Sequence, residues 1–317
     1  MSRTFGGVVV ALLLAGTAGV AGPQQPVFEG AGDTVRAFVT VTDGDGRLVT
    51  SLTREDFEVL DRGRPQPITL FDSTPQPIQL VVMLDVSGSM VGNLDLLRTA
   101  AEHLIASLAP GDRVRVGTFG REIAISPTFT SDPEALRAAL PEAIAPDSPT
   151  PLWLAIDEAL DAFESASDAR RVVLVLSDGR DSGSVGFGRR SSSQIQVIDE
   201  ARERDAMIYA IGMRSRGPRG AGGGIGPGGL RSMLAADLPD PGLARVAEES
   251  GGGYLELRGD DNLGAAFAEV ADELHRQYLI GFVPPERDGK VHRIEVRVGQ
   301  RGLKPRTRRD YVAPGQP

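Results

Sequence analysis

Two apolar runs constrain what this chain can fold into more than any other feature. Ile78 to Leu84 and Val172 to Leu176 are apolar at nearly every position and do not alternate. A strand with one face in water alternates. A run without alternation is covered on both faces, as strands of a parallel sheet are by helices. Helical spacing fills the intervals. Leu94, Leu97, Ala101, Leu104, Ile105 and Leu108 share one face, and Pro110-Gly111 stops that helix. Val114 to Phe119 and Ile123 to Phe129 read as strands, and Asp132-Pro133-Glu134 opens a helix carrying Leu136, Leu140 and Ile144. Thr150-Pro151 opens another with Leu152, Ile156, Leu160 and Phe163 inward. A helix from Ile195 to Arg204, a strand from Met207 to Ile211, a helix from Asp240-Pro241 through Glu249, a strand from Gly253 to Leu257 and a helix marked by Leu263, Phe267, Val270 and Leu274 complete the pattern. The expected fold class is α/β, a doubly wound, mostly parallel, Rossmann-like sheet covered on both faces, over residues 78–275.

Both flanks read as β. Val35, Phe38, Val39 and Val41 begin a strand, followed by a turn at Asp43-Gly44-Asp45-Gly46 and strands at Leu48 to Leu52 and Phe57 to Leu60. Asp61-Arg62-Gly63 marks another turn, Ile68 to Phe71 another strand, and Pro75-Gln76-Pro77 a stiff linker. After Gln277, Tyr278 to Val283 is apolar, and Ile294, Val296 and Val298 alternate with Arg293, Glu295 and Arg297. Short strands need a partner to bury against. The expectation is a smaller β-rich module built from residues 27–76 and the C-terminal segment 277–313.

The length of 317 residues, with 41% hydrophobic and 24% charged, suits a globular chain of about two domains. A net charge of -9 argues against general nucleic-acid binding. Arg3, the apolar run Val8 to Leu14 and the small residues Ala15 to Ala21 read as a signal peptide over 1–21, with cleavage after Ala21. The run is too short to span a bilayer easily, and no later stretch is long and apolar enough. The chain has no cysteine, hence no disulfide and no lipoprotein anchor. The expected product is exported, periplasmic or extracellular, without a transmembrane segment after cleavage.

In open α/β sheets, ligands bind at the carboxyl ends of the strands. Asp85-Val86-Ser87-Gly88-Ser89 follows the first apolar run, Ser177-Asp178-Gly179 follows the second, and Thr150 stands at a helix start facing the same edge. Two carboxylates and three hydroxyls delivered together suit a hard cation such as Mg2+ or Mn2+, which takes oxygen ligands and keeps some water. Ser87, Ser89 and Thr150 offer neutral oxygens, and Asp85 and Asp178 supply charge. A metal with so little direct anionic contact remains electrophilic and favours a carboxylate from a partner. Gly88 is read as allowing a tight turn around the ion.

Asp85, Ser87, Ser89, Thr150 and Asp178 together resemble the von Willebrand factor type A (VWA) family. Its metal-ion-dependent adhesion site (MIDAS) is Asp-x-Ser-x-Ser after the first strand, a Thr in a later loop, and an Asp within Thr-Asp-Gly or Ser-Asp-Gly. The resemblance covers about residues 78–275 and implies a central sheet, a bound divalent metal and a protein partner whose Asp or Glu completes the coordination. The flanking residues Val41-Thr42-Asp43, Leu52-Thr53-Arg54-Glu55-Asp56-Phe57 and Tyr278-Leu279-Ile280-Gly281-Phe282 are similar to an exported bacterial VWA subgroup first noted in acidobacterial genomes.

Other residues carry weaker signals. Arg180, Arg189 and Arg190, then Arg214, Arg216, Arg219 and Arg231, would steer an acidic partner or are simply solvated. Arg214 to Gly229 reads as a flexible Gly/Arg-rich loop. Gly224, Gly226 and Gly229 match Gly-x-Gly-x-x-Gly without the strand-turn-helix setting that a nucleotide site needs. The basic tail (Arg293, Arg297, Arg301, Lys304, Arg306, Arg308, Arg309) reads as solvent-facing strand positions, with an anionic envelope surface as the alternative. Asp85 is placed like the nucleophile of aspartate phosphatases, but Ser87 replaces their second Asp and no lysine precedes Lys290. None of His103, His275 and His292 is evidently positioned to activate Ser87. The expectation is a binding protein and not an enzyme. Two alternatives stay open: a structural envelope protein stabilised by its metal, and a divalent-metal phosphohydrolase.

Overall fold

The computed structural model describes residues 34–164, 169–183, 191–213, 239–257 and 262–315. The signal-peptide reading, residues 27–33, the Gly/Arg-rich loop with its glycine triplet, and Arg189, Arg190, Arg214, Arg216, Arg219 and Arg231 lie outside them.

The strand order of the six-stranded central sheet follows from its apolar runs. β5 (Ile78–Asp85) and β8 (Arg170–Ser177) lie side by side at its centre, β5 being buried at every position. β6 (Arg113–Phe119) and β7 (Ile123–Ile125) continue on the β5 side, and β9 (Ala206–Met213) and β10 (Tyr254–Leu257) on the β8 side. All neighbours are parallel except β7, which folds back antiparallel on β6. Leu80, Val82 and Leu84 enter a core with α1 (Leu94–Ala106) and α6 (Leu263–His275). Val81 and Met83 enter a second core with α3 (Leu152–Asp161), α4 (Gln194–Glu203) and α5 (Pro241–Ser250). This two-sided burial is why the run does not alternate.

The chain leaves β5 through α1 toward β6, and leaves β8 through α4 toward β9, on opposite sides. The strand order therefore reverses between β5 and β8. Their carboxyl ends frame the crevice where such sheets place a ligand.

Strands from the two ends of the chain pair in two antiparallel four-stranded sheets. One is ordered β13 (Lys304–Arg306), β1 (Val35–Thr42), β11 (Tyr278–Phe282), β4 (Leu70–Asp72). The other is β14 (Asp310–Val312), β12 (Val291–Val298), β2 (Phe57–Asp61), β3 (Arg64–Gln66). Val39, Val59, Ile280, Phe282, Ile294 and Tyr311 share their core. Among the described residues, no helix is long and apolar enough to cross a membrane.

Several sequence expectations need correction. Leu48 to Leu52 is not a strand, as only Leu48 forms an isolated bridge with Thr42. Its order comes from Tyr278, whose hydroxyl accepts the Leu52 amide at 3.0 Å. Arg62 and Gly63 have positive φ (48° and 78°), a two-residue hairpin turn that generates the unexpected edge strand β3. Pro65 is tolerated there because an edge has an unpaired side. β7 stops at Ile125, two residues before Pro127, which has no amide to donate. α2 (Pro133–Ala138) ends well short of Ile144. Pro141 disfavours helical backbone at Leu140, yet Leu140 and Ile144 still pack on the core from irregular chain.

In the basic tail Arg293, Arg297, Arg301 and Lys304 are solvent-facing, as expected, while the later arginines are engaged. Arg306 pairs with Glu273, Arg308 with Asp205, and Arg309 with Glu248. The tail strands are thereby tied to the helices and loops that cover the central sheet.

Candidate metal centre

Asp85 is the last residue of β5 and Ser177 the last of β8, so the strand register itself brings them together. The Ser177 hydroxyl donates to Asp85 Oδ2 at 2.5 Å, and the Ser87 amide donates to Asp85 Oδ1 at 2.8 Å. The Ser87 and Ser89 hydroxyls lie 3.1 Å apart, and Ser89 Oγ donates to Asp178 Oδ1 at 2.7 Å. Asp85, Ser87 and Asp178 are almost fully buried, whereas Ser89 is exposed. Thr150 is held by reciprocal bonds with Ser182: its amide donates to Ser182 Oγ at 2.8 Å, and its carbonyl accepts the Ser182 amide at 2.9 Å.

Two glycines make this approach possible. A Cβ on Gly179 would stand 3.1 Å from Thr150 Oγ1 and 3.5 Å from Ser89 Oγ, so glycine lets these hydroxyls converge. A Cβ on Gly88 would lie 2.0 Å from the Pro146 carbonyl oxygen. Gly88 is not among the positive-φ glycines. Its role is therefore close contact with the 146–148 segment, where its amide donates to the Ser148 carbonyl at 3.0 Å, and not the special turn conformation expected from the sequence.

Burial pushes the Asp85 carboxyl up to about 6, against the pull of its bonds from Ser177 and Ser87, with the nearby Asp178 charge adding to the rise. Burial raises Asp178 as well, opposed by the Ser89 hydroxyl. Asp178 Oδ2 is shielded from solvent and has no hydrogen-bond partner among the described residues. A buried carboxylate oxygen without a partner carries a full desolvation cost. A divalent cation among these oxygens relieves it, and the donor set is the hard-oxygen type that Mg2+ and Mn2+ accept. The residues present thus fit a metal.

Ser177, whose hydroxyl holds Asp85, was left without a role by sequence reasoning. Its signal was its place directly before Asp178 at the end of a buried strand. The histidines are engaged elsewhere: His103 packs on Gly264, His275 Nε2 meets Asp112 at 2.8 Å, and His292 lies between Asp61 and Asp288. Arg180, the one described arginine of the two basic loops, is exposed.

Residues 80–180 match the family model of the von Willebrand factor type A domain. The chain therefore carries a VWA domain, with a mostly parallel helix-flanked sheet beside antiparallel ones. No curated protein matches the chain. Among solved structures it is similar to a von Willebrand factor type A protein from Catenulispora acidiphila, at 12% identity and a TM-score of 0.48 over 90% of this chain and 75% of that one. It is also similar to an aerotolerance-related membrane protein from Bacteroides fragilis, at 16% and 0.44 over 62% and 98% of the two chains. A third similar structure is proximal thread matrix protein 1 of the mussel byssus with a zinc-occupied MIDAS motif, at 16% and 0.44 over 66% and 48%.

Proposed function

We propose that this chain is an exported protein-binding module that captures a carboxylate of a protein partner through a divalent cation, Mg2+ or Mn2+. Ser87, Ser89 and Thr150 hold the ion through neutral oxygens, and Asp85 and Asp178 supply the charge. The reading assigns 1–21 to a signal peptide, 78–275 to the metal-bearing domain, and 27–76 with 277–313 to a supporting β module.

The observation that carries it is the buried Asp178 Oδ2, unpartnered among the described residues, on a carboxylate whose other oxygen accepts from Ser89, with the Ser87 hydroxyl 3.1 Å from that of Ser89. Asp85 and Asp178 are both penalised by burial, which an ion offsets. Most of the charge lies on two buried carboxylates, while Ser89 is exposed at the rim. A partner's Asp or Glu would enter on that side and complete the coordination. When bound, the ion supplies the electrophile. The chain's own residues fix the ligand oxygens, hold Asp85 through Ser177, and keep the Thr150 loop in place through Ser182.

The test is binding of a peptide library bearing Glu or Gln at a fixed position, in Mg2+ and in EDTA. The account predicts retention of Glu peptides only, only with metal, and loss in Ser89→Ala. Retention indifferent to metal or to Glu versus Gln overturns it. Stabilisation by metal without any peptide retention favours a purely structural site.

A further inference from the structure

The loop that leads from β11 in one sheet to β12 in the other carries Glu286 and Asp288 at the surface, and His292, the second residue of β12, is fully buried. One ligand atom from each lies within 4.8 Å of the other two. His292 Nε2 is 3.0 Å from Asp288 Oδ1. The ring's other nitrogen is fixed by residues outside this group. Nδ1 lies 3.1 Å from Oδ1 of Asp61, the buried last residue of β2, and 3.2 Å from the Tyr311 hydroxyl. A carboxylate behind the far nitrogen is the arrangement that orients a metal-ligating histidine. Asp61 therefore aims Nε2 at the two surface carboxylates.

We propose that Glu286, Asp288 and His292 form a second cation site, independent of the one at Asp85 and lying on the β sandwich. One imidazole nitrogen and two carboxylates suit Zn2+, with water in the fourth position. Zinc at about 2.1 Å from each ligand sets ligand atoms roughly 3.4 Å apart in a tetrahedron. The ligand atoms already lie within 4.8 Å of one another, and Glu286 and Asp288 are exposed and free to turn toward an ion. Arg62 already serves these carboxylates: its guanidinium donates to Glu286 at 2.6 Å and approaches Asp288 at 3.5 Å, while Lys290 Nζ stands 3.8 Å from Asp288. Zinc has to compete with Arg62, so removing that arginine tightens zinc binding. The bound ion would pin the loop between the two sheets to β12 and, through Asp61, to the end of β2.

The test titrates zinc into the full chain carrying Asp85→Ala, which silences the carboxyl-edge site, alone and with Glu286→Gln, Asp288→Asn or Arg62→Gln. The expected result is one zinc per chain, weakened about tenfold or more by either carboxylate substitution, as is typical for disturbed metal sites, and tightened by Arg62→Gln. No zinc binding in the Asp85→Ala chain, or binding indifferent to Glu286→Gln and Asp288→Asn, overturns the proposal. The same exposed substitutions in the wild-type chain give a second reading by equilibrium dialysis. Loss of one zinc equivalent supports the site, and unchanged stoichiometry refutes it.

Discussion

Replacing Asp85 by Asn should stabilise the metal-stripped protein at alkaline pH while abolishing its metal binding. Burial holds the Asp85 carboxyl at about 6 against an ordinary 3.8. That gap, roughly 2 pH units, is about 3 kcal/mol of preference for the protonated form in the folded state. The contribution is intact below pH ~4 and is lost as the pH rises through about 6. Asp178, also raised by burial, acts in the same direction. The metal-stripped wild type should therefore lose about 3 kcal/mol between pH 4 and pH 8 from Asp85, on the order of 5 °C in Tm for a folded unit of this size. Asn keeps the shape and cannot ionise. Its amide can donate to Ser177 Oγ, which today donates to Asp85 Oδ2. The assay is urea denaturation in EDTA at pH 4 and pH 8 for both proteins. The account predicts stabilities that differ little at pH 4 and a more stable Asn variant at pH 8. Saturating Mg2+ should restore the wild type at pH 8, by about 2.7 kcal/mol at a hundredfold excess over Kd, and leave Asp85→Asn unchanged. An Asn variant less stable than wild type at pH 8 in EDTA would refute the reasoning.

Other substitutions test the supporting geometry. Ser177→Ala removes the bond that positions Asp85 and should weaken Mg2+ affinity about tenfold or more with the fold intact by circular dichroism. Gly88→Ala drives a Cβ against the Pro146 carbonyl, so the metal loop has to shift; the expected cost is about 1–3 kcal/mol in a denaturant melt, together with weaker metal binding. Tyr209→Phe deletes a hydroxyl that donates to Glu273 and accepts from Gln277, and should lower stability by about 1–2 kcal/mol without altering metal affinity.

The central sheet was legible because burial on both faces leaves a mark in one dimension: Ile78 to Leu84 cannot be a half-exposed strand. Four of the five proposed ligands were legible because they directly follow such strands (Asp85, Ser87 and Ser89 after β5, Asp178 after β8), while Thr150 was read from its place at a helix start. Proline set the misread boundaries. Leu136, Leu140 and Ile144 keep helical spacing, but Pro141 lets periodicity outlast the helix. β3 was invisible because Arg64–Gln66 is an exposed edge with no apolar pattern of its own. The orientation of Asp85 by Ser177 depends on parallel register across residues far apart in the chain, which no local pattern encodes. The backing of His292 by Asp61 was hidden likewise, since the two meet only through the pairing of β2 with β12. In sequence His292 was simply a polar residue in a basic tail.

The account rests on a divalent ion at the carboxyl edge of β5 and β8, and calorimetric titration of the metal-stripped protein tests that most directly. Mg2+ and Mn2+ are titrated into wild type, Asp85→Ala and Ser87→Ala, with a Glu-bearing peptide present and absent. The account predicts binding in wild type, tightened by the peptide and lost in both variants with the fold unchanged. Heats absent at millimolar metal even with the peptide, or equal heats in wild type and both variants, would contradict it.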